Sequence, residues 1–107
     1  GGIQPALDFY RWVRSQGKTV WMGGMFDTGI SKRMHAAFAT LPGMDLQPDV
    51  SDYSEYFVHD TAIPALQLTN GELVLNTPKH PVGLGCILDK DYVRSIAVDE
   101  VTVTTEG

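Results

Sequence analysis

The stretch Lys18-Thr19-Val20-Trp21-Met22-Gly23-Gly24-Met25-Phe26-Asp27-Thr28-Gly29-Ile30-Ser31 decides how the rest of the chain is read. Its first five residues are β-branched and apolar on both faces, the pattern of a strand buried within a parallel sheet. Gly23-Gly24 ends that strand. Thr28 or Ser31 then offers an N-cap to a helix whose apolar stripe is Met34, Ala37, Phe38 and Leu41, and Pro42-Gly43 stops it. On the other side, Pro5 to Gln16 reads as a helix with Ala6, Phe9, Tyr10 and Val13 on one face, and Gly17 as its left-handed stop. Helix, strand, helix with short connections is α/β arithmetic, and it implies a βαβ crossover packed on a parallel sheet.

Beyond residue 43 the character changes. Met44-Asp45-Leu46 reads as one more short strand, followed by an acidic and aromatic stretch from Asp49 through Asp60. Ala65–Thr69 and Glu72–Leu75 flank Asn70-Gly71, a pair that favours the type I′ turn of a β-hairpin. Pro78, Pro81, Gly83 and Gly85 mark a loop, Asp89 can cap a short helix over Lys90–Ser95, and Val101-Thr102-Val103 reads as a terminal strand. With no repeat or flexible linker, the break near residue 45 reads as a change of layer.

Composition narrows the classes of function. The chain has 107 residues, 43% of them hydrophobic, enough for one modest core but too few for a complete (β/α)8 barrel, which takes roughly 250. Eight basic against thirteen acidic residues, a net charge of −5, leave no footprint for a phosphate backbone, so nucleic acid is not an expected partner. No apolar run approaches the ~18 residues of a membrane span, and neither a polybasic anchor nor a signal peptide is read. A membrane is therefore not an expected partner either. A lone cysteine, Cys86, fits a reducing compartment, and the expectation is a cytoplasmic protein.

The chemistry legible from the residues alone is limited. Gly23-Gly24 at a strand's carboxyl end places bare backbone where α/β proteins bind ligands, although spacing by itself favours a tight turn. No phosphate-cradling glycine pattern accompanies it. Asp27 reads either as an acceptor or charge partner over that pocket or as an acid at the positive end of the following helix. Lys32 and Arg33 sit at the wrong helix end for the dipole; a carboxylate partner or substrate would explain them, but solvated surface positions explain them as well and are the expectation. His35, His59 and His80 lack zinc spacing, and Asp49, Asp52, Glu55 and Asp60 read as a packed loop with one solvated side. No nucleophile-and-base pairing is evident.

Taken together, Trp21 to Ser31 resembles the late-barrel motif of the enolase superfamily, in particular the o-succinylbenzoate synthase and N-acylamino acid racemase group. That group reads Gly-Gly-Met-hydrophobic-Glu-Ser/Thr-Gly, then a helix ending Ala-Ser-Leu-Pro; here the helix ends Ala39-Thr40-Leu41-Pro42. The similarity continues through Pro48-Asp49-Val50-Ser51, Tyr56-Phe57 with Asp60, and Pro81-Val82-Gly83-Leu84-Gly85, and Gly1-Gly2 matches the end of the group's Arg-Val-Gly-Gly segment. It covers nearly the whole chain in one order.

The resemblance implies the C-terminal part of a (β/α)7β TIM-like barrel. Residues 1–47 would be its last βα units, with strand seven at Lys18–Met22 and strand eight near Met44–Leu46, and 48–107 a segment with the hairpin that returns to the capping domain. It implies a parent enzyme in which lysines act as acid and base on a proton beside a carboxylate, with Mg²⁺ as cofactor. By this resemblance the parent would dehydrate a cyclohexadiene carboxylate in menaquinone biosynthesis, with racemisation of N-acylamino acids, or another muconate-cycloisomerase-like reaction, as the nearest alternative. The lysines and metal ligands would lie upstream, so this chain alone is expected to carry no catalytic residue, to bind no metal and to be inactive. Gly23, Gly24, Met25 and Phe26 match positions that line the substrate pocket, with Asp27 supporting them from behind. The expected partners are a small-molecule carboxylate and, for the parent, other copies of itself, while the isolated piece should self-associate. Asp27 in place of the group's Glu, and Gln47-Pro48 in place of Pro-Gly, imply a different pocket rim. A noncatalytic binding or interaction module is the reading from another class.

Overall fold

A computed structural model describes residues 1–75, 79 and 82–105. Helix α1 spans Ile3–Ser15, starting ahead of Pro5, whose missing N–H is tolerated in the first turn. Gly17, at φ 67°, closes it as expected, its N–H donating to Arg14 O. Helix α2 spans Gly29–Ala39. Thr28 is its N-cap residue but makes no side-chain cap bond, and the carboxylate of Asp60 accepts from the Gly29 N–H in its place at 2.9 Å.

Between the two helices, Lys18–Met22 forms no strand, contrary to the sequence reading. A ladder needs a neighbour, and among the described residues the segment's backbone tie to the later chain is one bond from Asp49 N to Met22 O at 2.9 Å. Met44–Leu46 and Val101–Val103 likewise lack strand pairing, and no parallel sheet forms among the described residues.

The pairing that does form is short and antiparallel. After a single 3-10 turn at Tyr53–Glu55, β1 (Ala62–Ile63) pairs with β4 (Ile87–Leu88), and β2 (Leu68–Thr69) with β3 (Glu72–Leu73). The β2–β3 hairpin turns through Asn70 at φ 52° and Gly71 at φ 81°, both left-handed as a type I′ turn requires, but its ladder is shorter than the flanking apolar runs suggested. Helix α3 spans Lys90–Ile96, and Asp89 caps it by accepting from Tyr92 N at 3.0 Å. Of the expected loop, Gly83 and Gly85 have positive φ, whereas Pro78 and Pro81, together with His80, lie outside the described residues.

The core sits around α2, where Ala36 and Phe38 are buried with Ala62 and Leu66 from the β1 region. Lys32 and Arg33 are buried there too, at 3% and 1% exposure, which overturns their reading as solvated residues. Arg33 passes through the core and donates to the carbonyls of Pro64 (2.8 Å), Leu75 (2.7 Å) and Leu84 (3.3 Å). Helix pattern alone could not show this, since the acceptors come from segments 31 to 51 residues away. The whole is a slab of 46 × 43 × 27 Å.

Candidate functional site

The segment 18–22 ends against a small open cavity of about 130 Å³. Gly24, Met25, Phe26 and Asp27 line it from the end of that segment, Lys32 and His35 from α2, and Asp49–Ser51 with Tyr56 from the opposite loop. The two glycines are not equivalent. At Gly24 a Cβ would run into the carbonyl oxygen of Asp49, so close backbone approach demands glycine there. At Gly23 a Cβ would meet only the Trp21 ring at 3.8 Å, and Gly23 does not line the cavity.

Residues 25–27 form a tight turn. Asp27 N donates to Met25 O at 2.8 Å, while the Asp27 carboxylate accepts from Met25 N at 3.0 Å. Phe26 stands at the apex and Met25 beside it, 71% and 73% exposed. Phe26 meets the edge of Tyr56, ring centroids 4.7 Å apart. Asp27 also lies 3.5 Å from Nδ1 of His35, tying the turn to α2. Its carboxylate is thus placed to hold the shape of the turn that presents Met25 and Phe26.

The loop opposite is built by its own acids. Asp52 accepts from both the hydroxyl and N–H of Ser54 and from Leu68 N. The Ser54 hydroxyl above all, with these backbone bonds and the charge of Lys32, holds the Asp52 carboxyl below its usual value of 3.8 against the opposing effect of burial. Asp60 bridges Gly29 N and Leu66 N. Asp52 and Asp60 therefore serve the packing of this stretch, while Asp49 and Glu55 are exposed, a packed loop with one solvated side. The negative charge of Glu55 raises the exposed Tyr56 phenol. Burial pushes the Cys86 thiol up, which makes it a poor nucleophile.

Sequence reasoning missed His35, Ser51 and Tyr56 as cavity residues, and set Lys32 on the solvated surface in preference to a place beside a carboxylate. The available signal was Lys32 itself, a cation at the helix end where the dipole disfavours it.

No family model matches the chain. All 107 residues align with the o-succinylbenzoate synthase of Bacillus subtilis (strain 168) at 32% identity, covering 28% of that protein. The N-succinylamino acid racemase of Thermus thermophilus aligns at 32% identity over 92% of this chain and 26% of its own length. The crystal structure of an enolase-superfamily member from Listeria innocua superposes with a TM-score of 0.76 at 27% identity, over 89% of this chain and 25% of that one. The chain belongs to the enolase superfamily. It spans about a quarter of the length of these relatives.

Among the described residues of this enolase-superfamily chain, no three His, Cys, Asp or Glu side chains converge to hold a metal ion, so this stretch does not by itself fit a Mg²⁺ centre. No described helix is long and apolar enough to cross a membrane.

Proposed function

We propose that these residues are the C-terminal part of a (β/α)7β-barrel enzyme of the o-succinylbenzoate synthase kind, and that the cavity at 24–27 is one wall of its substrate pocket. In this reading 1–47 supply the last βα units and 48–107 return over the barrel toward the capping domain. The observation that carries it is the bare backbone of Gly24, seated on the Asp49 carbonyl at the carboxyl end of the 18–22 segment and opening into a cavity. This is where open and closed α/β folds present ligands to catalytic groups.

The chemistry follows from that placement. A base removes the proton α to a carboxylate, the electron pair moves into an enediolate, and a β-hydroxyl then departs as water with a proton from an acid. The acid, the base and the Mg²⁺ ligands belong to parts of the protein outside these 107 residues. This chain contributes an apolar wall from Met25 and Phe26, a glycine that admits the ligand, and Asp27 as the support of the turn. The carboxylate substrate, the cytoplasmic setting and a place in menaquinone biosynthesis belong to the same proposal.

Racemisation of N-acylamino acids is the second reading, favoured by the 32% identity to the Thermus racemase and by the proton abstraction the two reactions share. Assays of the full-length protein that carries this sequence, with o-succinylbenzoate precursor and with N-succinylamino acids, separate the two. Activity with the first that disappears on chelation by EDTA and returns with Mg²⁺ is the expected result. Metal-independent turnover, or binding without turnover of either, would overturn the assignment and favour a noncatalytic module.

A further inference from the structure

Helix α1 presents two different sides. Ile3 and Ala6 line a hollow with Met22, Met34 and Phe38, and the Tyr10 hydroxyl donates to Pro42 O at 2.6 Å, so this side looks into the molecule. Successive helical residues turn by about 100°, which puts Phe9 roughly 90° and Trp12 roughly 150° round from its middle. The two rings are neighbours, centroids 6.2 Å apart, yet Phe9 and Trp12 are 60% and 61% exposed. On the barrel reading α1 packs outside the sheet, and its far side is protein surface. Adjoining aromatics, one of them a tryptophan, are the composition of an interface core and not of a solvated helix face.

Charge indicates what covers them. Beside the aromatic strip runs a polar one, Gln4, Asp8, Arg11 and Ser15, in which Asp8 accepts from Gln4 at 2.8 Å and from Arg11 at 3.1 Å, with both charges exposed. A partner surface of one sign would attract one of these charges and repel the other. A second copy laid antiparallel, about a twofold axis crossing α1 beside Tyr10, avoids that conflict. The rotation sets each strip against itself in reversed order, so Asp8 of each copy faces Arg11 of the other, Gln4 faces Ser15, and Phe9 faces Trp12. The far side of α1 is thus complementary to itself in charge and in apolar surface.

We propose that the Phe9–Trp12 face of α1 is a twofold interface between two copies of the full-length protein. Phe9 and Trp12 form its apolar centre, and the reciprocal Asp8–Arg11 pairs fix its register and direction. The inference takes from the proposed function only the barrel placement of α1, and none of the chemistry.

The test is a charge exchange in the full-length protein, read by sedimentation velocity. The wild type is expected to sediment as a dimer or an assembly of dimers. Asp8→Arg sets only positive charges against one another at this face and Arg11→Asp only negative ones, so each alone should weaken the dimer about tenfold or more. An equimolar mixture of the two variants regains the dimer as a heterodimer, and the double variant Asp8→Arg, Arg11→Asp regains it by itself. Residues with a role only inside their own helix give two defective variants no means of repairing each other. An oligomer indifferent to both single exchanges, or a mixture no more associated than its parts, overturns the interface. So does a wild-type monomer: thermal destabilisation by Trp12→Lys then marks cover by another segment of the same chain, and no destabilisation marks a face left in water. A monomer that turns over substrate overturns the interface alone, and an inactive dimer with the expected exchange pattern overturns the function alone.

Discussion

Gly24 shows how one absent side chain can shape a site. Its φ is not in the left-handed region, so the demand for glycine there is one of space and not of backbone conformation. Gly24→Ala must therefore push the Asp49 carbonyl away and strain the bond from Asp49 N to Met22 O. We expect a loss of about 1–3 kcal/mol, the usual cost of overpacking, read as a lower urea midpoint, whereas Gly23→Ala should stay within about 0.5 kcal/mol, as at unconstrained surface positions. The two glycines are indistinguishable in the sequence, because what separates them is a carbonyl contributed 25 residues later. The same limit applied to Lys32 and Arg33. Their burial is imposed by segments that fold onto α2 from beyond residue 50, and no periodicity within the helix records it.

Among the elements, those that could be read were the ones whose causes are local. Asn70-Gly71 sets its own left-handed turn, Asp89 caps α3 from the adjacent position, and Gly17 ends α1. The segments 18–22, 44–46 and 101–103 carry strand composition, but a strand exists only with a hydrogen-bonded neighbour, and composition does not supply one. The start of α2 falls between these cases: the position was legible, but its acceptor comes from Asp60, 31 residues on. Asp60→Ala should release both Gly29 N and Leu66 N and cost about 2–4 kcal/mol, given roughly 1.5–3 kcal/mol for a hydrogen bond to a charged group, discounted for water access. Amide exchange should report it first at the N-terminal turn of α2 and at Leu66. Unchanged protection at both amides would show that Thr28 suffices as the cap.

At the scale of the molecule, the chain is more open than its size warrants. It exposes 7931 Å² where roughly 5,900 Å² is usual for 11.7 kDa, and its radius of gyration is 15.8 Å against about 13 Å for a compact domain of this length. Much of the surplus is apolar, including Ile3, Trp12, Trp21, Met25 and Phe26. The isolated 107-residue chain is therefore expected to self-associate at micromolar concentration, giving a scattering mass well above 11.7 kDa. A monodisperse monomer with one cooperative unfolding transition would count against the barrel reading. Many of the long-range polar ties, by contrast, converge on α2, where two adjacent cations serve two different regions. Successive helical residues point about 100° apart, so Lys32 faces the cavity while Arg33 faces the carbonyls of Pro64, Leu75 and Leu84. Inserting or deleting a single residue between Thr28 and Ser31 would turn both by that angle, moving each cation off its partners at once. The helix thus has a locked phase, and length variation in this protein should be tolerated at the Asn70-Gly71 tip and not at the start of α2.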